Sequence, residues 1–300
     1  LPDLGAGCSM ADMANLDDVE DAWDAIAAAC AAIPDFTLIP ITYINSSAAL
    51  KSFVGQHGGA VCTSSNCDKV IQWALNIAPN GTANPIALET RNPKLETRKI
   101  IFFPDQHLGR NTAYKLGFPL DTMATWDYKK PNGGLTEQQI RDATFLLWKG
   151  HCSVHQLFRP EHADQARQKR PGTTVIVHPE CCWEVVQKAD LAGSTSLIAK
   201  TIAAAPPGSS FAVGTEVHMV NRLAKQFPEK HITILSECQC LCTTMYRIDA
   251  PHLLWTLDNL AEGKVVNRIT VDPNTKKWAH LSLQRMLDIT AAPSPQPPPP

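Results

Sequence analysis

Residues 100–111 read Ile100-Ile101-Phe102-Phe103-Pro104-Asp105-Gln106-His107-Leu108-Gly109-Arg110-Asn111. Four apolar residues in a row, two β-branched and two aromatic, predict a short strand over 100–103 that is buried on both faces. A proline and then small, polar and charged residues end the run, and the spacing beyond them predicts a helix over 111–116. An apolar strand that stops at polar residues and leads into a helix is half of a parallel βαβ unit. In open parallel sheets ligands bind beyond the carboxyl ends of the strands, so the polar residues after Phe103 lie where a site would be.

The same layout recurs on both sides. Upstream, residues 17–32 have helical spacing, 36–44 read as a strand and 47–54 as the start of a helix. Residues 59–62 form a short strand, followed by a helix over 66–75. The polar, Asn-, Pro- and Gly-rich residues 77–97 read as an inserted surface loop. Downstream, strands are expected at 144–148, 175–177, 211–213 and 231–235, and helices at 182–190, 217–226, 251–262 and 275–287. Residues 291–300 are proline-rich and predict a disordered tail outside the fold. Strand ends resemble one another: Leu1-Pro2-Asp3 runs into Gly7-Cys8, Phe103-Pro104-Asp105 into Gly109-Arg110, and Val213 into Gly214-Thr215-Glu216. Cys62-Thr63-Ser64 is matched in the same way with His178-Pro179-Glu180-Cys181. The similarity is weak, but it reads as two and a fraction copies of one α/β unit.

Composition narrows the function. The chain has 300 residues, 44% of them hydrophobic and 19% charged, ordinary values for globular protein of roughly two to three domains. A net charge of −2 without a basic block gives no footing for a nucleic-acid partner. No apolar run approaches the roughly 18 residues that cross a bilayer, and the first residues do not have a signal-peptide pattern. The expectation is a cytoplasmic protein, or a plastid one if the source is plant or algal, with no membrane partner.

Ten cysteines point in such a chain to metal or catalytic thiols rather than a disulfide framework. Cys8, Cys181 and one of Cys238, Cys240 and Cys242 follow strand ends about one unit apart. Thiolates gathered singly from separate loops select zinc or an iron–sulfur cluster, and the spacing is not the paired arrangement of a structural zinc site. Three thiolates on a four-iron cluster would leave one iron open as a Lewis acid. On spacing alone, buried core thiols compete with this reading, since cysteine is among the most buried residue types. Cys30, in an alanine-rich helix, reads as core.

Several segments, in order, resemble the quinolinate synthase family. They include Pro2-Asp3 through Cys8-Ser9-Met10-Ala11-Asp12, Tyr43-Ile44-Asn45-Ser46-Ser47-Ala48, Cys62-Thr63-Ser64-Ser65-Asn66 and residues 103–111. Residues 148–155, His178-Pro179-Glu180-Cys181, Gly193-Ser194-Thr195, Gly214-Thr215-Glu216 and residues 240–245 continue the series. The single tripeptides carry little; their order over residues 1–288 carries the resemblance.

The resemblance implies an α/β fold of three-layer α/β/α domains with short parallel sheets around a pseudo-threefold axis. A [4Fe–4S] cluster lies at the centre, held by one cysteine per domain. Matched motif by motif, the metal ligands are Cys8, Cys181 and Cys242, while Cys30, Cys67 and Cys152 fall outside. The implied reaction condenses iminoaspartate with dihydroxyacetone phosphate to quinolinate, phosphate and water in NAD biosynthesis, with substrate channelled from an aspartate oxidase or dehydrogenase. Glu180, His178 and Tyr43 are the implied catalytic residues. Tyr43, Asn45, Ser64, His178, Glu180, Ser194 and Thr195 are the implied substrate binders. His151, His155, Arg110 and Glu216 read either as site residues or as structural ones.

The implied domains are a remnant of the first with the cluster loop (1–22), a second (23–125), a third (126–245), C-terminal helices returning to the first (246–288) and the tail (289–300). The family's chain begins earlier, so this one is expected to lack most of its first domain. The alternative function is then an inactive fragment that only binds metal or anions. Cys182, Cys238 and Cys240 receive no role. Some family members have a Cys-x-x-Cys-x-x-Cys run whose first two cysteines form a disulfide, but alternate cysteines in an extended strand do not bridge easily.

Overall fold

The computed structural model describes residues 1–75, 97–236 and 241–291. The chain divides into two compact units, Ala14–His151 with Asn274–Pro300, and Leu1–Met13 with Cys152–Pro273. The expected surface loop at 77–97 and the tail beyond 291 lie outside the described residues, apart from Thr97.

The first unit holds a five-stranded, all-parallel sheet. Its strands are β1 (Thr37–Tyr43), β2 (Ala60–Cys62), β3 (Arg98–Phe103), β4 (Met123–Trp126) and β5 (Phe145–Trp148), in the order β2-β1-β3-β5-β4. Helices α1 (Leu16–Cys30), α2 (Ala48–Gln56), α3 (Cys67–Ala74), α4 (Gln106–Lys115) and α5 (Glu137–Asp142) connect or cover them. The side-chain period of two sorts each strand between two cores. Leu38, Ile101, Phe103, Leu146 and Trp148 face a cluster with Val19, Ala22 and Ile26 of α1 and Leu50, Phe53 and Val54 of α2. Residues such as Phe102 and Leu147 face the other way, where Gly109 of α4 leaves no room for a Cβ against them.

The second unit holds β6 (Thr174–Val177), β7 (Leu191–Ala192), β8 (Ser210–Gly214) and β9 (His231–Ile234), also all parallel, in the order β7-β6-β8-β9. Its helices are α6 (Pro160–Lys169), α7 (Trp183–Lys188), α8 (Thr195–Ala204), α9 (Val217–Gln226) and α10 (Ala250–Ala261). Val175, Val177 and Ala212 face a core with Ala163 of α6 and Val185 of α7. Their neighbours Ile176, Phe211 and Val213 face another with Ile198 and Ile202 of α8 and Val220 and Leu223 of α9. Both faces are therefore covered by helices, as in a three-layer α/β/α fold. No residue of α10 is buried, and its Leu253, Leu254, Trp255 and Leu257 are exposed.

The expected α/β class with short parallel sheets is what the structure has, and the two sheets share one plan. In each, the first strand pairs with the second on one side and the third on the other. This reversal is the switch point at which α/β sheets bind ligands. It falls between β1 and β3 in one unit and between β6 and β8 in the other.

The shared plan corrects two details. Residues 144–148, read as opening the second half, pair as β5 with β3 in the first sheet. Cys62, at the end of β2, corresponds by sheet order to the end of β7, so its partner segment is Gly193-Ser194-Thr195, and His178 corresponds to Tyr43. Helix α11 (Pro273–Ala291) runs three residues past the expected start of the tail at 289. It packs on α2 and β2: Ser282 Oγ donates to the Lys51 carbonyl at 2.9 Å and Arg285 donates to the Gly59 carbonyl.

Candidate functional site

In the four-stranded unit, polar residues gather where β6 and β8 end. His178 follows β6, and its backbone N–H donates to the Gly214 carbonyl at the end of β8, 3.0 Å away. Gly214 is required there, because a Cβ would lie 2.8 Å from Val177 Cγ1. The chain then turns tightly, with the Cys181 N–H donating back to the His178 carbonyl at 3.0 Å.

This turn sends successive side chains in different directions. Glu180 is 4% exposed, and one carboxylate oxygen lies 3.0 Å from His178 Nδ1 and 3.6 Å from His155 Nδ1. The two imidazoles stack at 4.7 Å, and His155 Nε2 meets Thr215 Oγ1 at 3.3 Å. The Glu180 backbone N–H also points at His178 Nδ1, at 3.3 Å. That nitrogen cannot accept from the backbone and donate to the carboxylate at once. A proton on Nδ1 would be donated to the carboxylate, and a proton on Glu180 would be donated to Nδ1.

Cys181 points elsewhere. It is fully buried among Phe158, Val175, Val177, Val185, Ala212 and Leu235, and its thiol donates to the Gly214 carbonyl at 3.6 Å. Burial, then the charges of Cys182, Glu180 and Cys152, hold its pKa well above the thiol's usual 9.0. Cys152, by contrast, is half-buried, and its sulfur, an imidazole nitrogen of His155 and a carboxylate oxygen of Glu180 all lie within 4.8 Å of one another. Cys152 was expected to be irrelevant. The signal that could have found it is its spacing, Cys152-Ser153-Val154-His155, which brings a thiol and an imidazole together from one short loop.

Cys8 and Cys242 belong to the same unit. Burial raises the Cys8 thiol first; amide hydrogen bonds from Met10 and Ala11 lower it, and the charges of Glu180 and Cys242 raise it again. Cys8 is exposed by surface area. The loops carrying the two cysteines are tied together. Arg247 donates to Asp3 at 2.9 Å, and a hydrogen bond from the Gly5 amide, then this arginine, holds the Asp3 carboxyl below its usual 3.8. Cys242 Sγ lies 3.4 Å from Thr244 Oγ1, and its carbonyl accepts from the Tyr246 N–H at 3.0 Å. Tyr246 packs on His218, which Glu216 holds at 2.6 Å. Glu216 also caps α9, so it serves the scaffold. Cys238 and Cys240 lie outside the described residues.

The other expected residues divide between the units. Ser194 is buried and caps α8 by accepting from the Leu197 N–H at 3.3 Å, while Thr195 beside it is exposed. In the five-stranded unit, Tyr43 ends β1, buried, and Asn45 is exposed two residues later. Ser64 follows β2, and Tyr43 and Cys62 are paired in register, so all three residues share one strand-end edge. Arg110 donates to Thr125 Oγ1 at 2.9 Å. Burial lowers the His151 pKa from its usual 6.5. Cys30 and Cys67 are buried, Cys30 in the α1 core.

Comparison with known proteins gives a consistent answer. The NadA family model, described as quinolinate synthetase A protein, matches residues 1–288. A protein named quinolinate synthase from a Nocardioides species is 52% identical over 290 residues, covering 96% of this chain and 70% of the relative. Others of that name, from Acidobacterium capsulatum and Rhodopirellula baltica, are 50% and 48% identical over 96% of this chain, with 72% and 68% of their own lengths covered. No helix among the described residues is long and apolar enough to cross a membrane. The chain belongs to the quinolinate synthetase A family.

Proposed function

We propose that the protein is a quinolinate synthase: it joins iminoaspartate to dihydroxyacetone phosphate, giving quinolinate, one phosphate and two waters, and carries a [4Fe–4S] cluster in its four-stranded unit. The observation that carries the reading is the gathering of Cys152, His155 and Glu180 within 4.8 Å, in the unit that also holds Cys8 and Cys242.

The donor set fits such a cluster. Soft thiolates from separate loops suit iron–sulfur centres, and the ligands in this reading are Cys8, Cys152 and Cys242. Cys152 takes the place first given to Cys181, whose sulfur is buried in an apolar core and donates to the Gly214 carbonyl. When bound, a cluster with three protein thiolates has one iron free to polarise a substrate oxygen or nitrogen.

The chain's own groups supply the rest. Closing a pyridine ring and losing two waters requires protons to leave carbon and to reach departing hydroxyls. Glu180 and His178, 3.0 Å apart, can hold that proton on either partner and suit general acid–base work. His155 stacks on His178 and contacts Thr215, which orients the pair. Tyr43, Asn45 and Ser64 offer hydrogen bonds to carboxylate and carbonyl oxygens at the edge of the five-stranded sheet, and Thr195 offers a hydroxyl at the start of α8. The test is an anaerobic assay of the reconstituted protein for quinolinate and released phosphate. Iron bound without turnover would favour the metal- or anion-binding module instead.

A further inference from the structure

Lys51 lies in the first turns of α2, and its Nζ donates to the Ser46 carbonyl at 2.5 Å. Ser46 belongs to the loop that carries Asn45, and its own hydroxyl donates to the Tyr43 carbonyl at 2.8 Å. The ammonium thus stands at the strand-end edge that presents Tyr43, Asn45 and Ser64.

Its surroundings do not satisfy it. Lys51 is half-buried, makes no ion pair among the described residues, and has its pKa pulled down to about 8 by burial alone, with no neighbouring charge from any element contributing. An ammonium has three N–H donors, and the Ser46 carbonyl uses one. A partly desolvated cation without a counter-ion costs stability, and the positive end of a helix adds to that cost. The two buried lysines among the described residues are treated differently. Lys99 donates to the Arg141 and Ala143 carbonyls at 2.5 and 2.6 Å, and Lys230 to the Ile202 and Ala203 carbonyls at 2.7 and 3.0 Å. Each has two acceptors and closes a helix end. Lys51 has one acceptor and an open side, an arrangement that fits a cation waiting for an anion.

We propose that Lys51 binds an anionic group of the substrate, a carboxylate or a phosphate, beside Tyr43 and Asn45. This rests on the quinolinate synthase reading, in which both substrates carry such groups.

The test is a site-resolved titration of the anaerobically reconstituted protein with 13C at the lysine ε-carbons. The Lys51 signal is assigned by its loss in Lys51→Arg. It should titrate near 8 in the free protein, and an anion bound against it should raise that midpoint by roughly one to two pH units. A rise with quinolinate identifies a carboxylate site, and a rise with dihydroxyacetone phosphate identifies a phosphate site. A midpoint unmoved by both, or no signal titrating near 8, overturns the inference and leaves Lys51 as a clamp on the Ser46 loop. If the same preparation makes quinolinate, that failure touches Lys51 alone; if it makes none, the functional reading fails first.

Discussion

Replacing Cys152 and Cys181 by alanine, one at a time, separates two roles that neighbouring sulfurs could hold. A metal ligand must be a thiolate. Cys181 has no exposed surface, sits among Phe158, Val177, Val185 and Leu235, and burial holds its thiol above the usual 9.0. Its loss removes one buried sulfur from a packed core, a cost of about 1 kcal/mol, or a fall in Tm of roughly 2–4 °C. The cluster should survive. Cys152 is half-buried outside the apolar clusters, so its loss should cost little stability. It removes one of three thiolates, however, and the effect on metal binding should exceed the ~10–100-fold typical of losing an outer-shell partner. Both variants would be reconstituted anaerobically and assayed for iron, sulfide and absorption at roughly 400 nm. Cys181→Ala should match the parent, and Cys152→Ala should lose most of its iron. The reverse pattern would refute the ligand assignment and restore Cys181.

Glu180→Gln keeps the shape of the side chain but cannot take up a proton, so iron content should hold while turnover falls by ~10²–10⁴-fold; undiminished turnover would remove Glu180 from the chemistry. Gly55 of α2 lies against the Trp278 carbonyl of α11, with no room for a Cβ. Gly55→Ala should therefore cost about 1–3 kcal/mol in denaturant unfolding, and an unchanged midpoint would mean that α11 is not seated there. Lys51→Met should stabilise the protein at pH 7 by removing an uncompensated ammonium. The folded-state pKa is about 8 against 10.5 for the ordinary side chain, so the parent binds fewer protons folded than unfolded between those values, and its stability rises with pH there. The advantage of Lys51→Met should shrink across that window, and an advantage that grew would contradict the desolvation argument.

The strands that carry the site were legible because they are buried on both faces: residues 100–103 and 211–213 are continuous apolar runs, and chemistry follows their ends. Met123–Trp126 was not, since three of its four residues are only half-buried and no apolar run marks it. Leu191–Ala192 is too short to show a period. Phe145–Trp148 was read as a strand but joined to the wrong sheet, because an apolar run does not say which neighbours it will pair with. The side-chain directions at the site were less legible. Cys181 follows a strand end in sequence, but a tight turn aims Glu180 at two histidines and the next side chain into an apolar core. The approach of Cys152 to His155 and Glu180 depends on where the fold brings the 152–155 loop, which a linear motif does not show.

The most direct test supplies the protein, reconstituted anaerobically, with iminoaspartate and dihydroxyacetone phosphate. Quinolinate and phosphate are then counted against each other. The reading predicts quinolinate with one phosphate released for each, dependent on Glu180 and on Cys152. A protein that holds its full iron and sulfide and forms no quinolinate would contradict it.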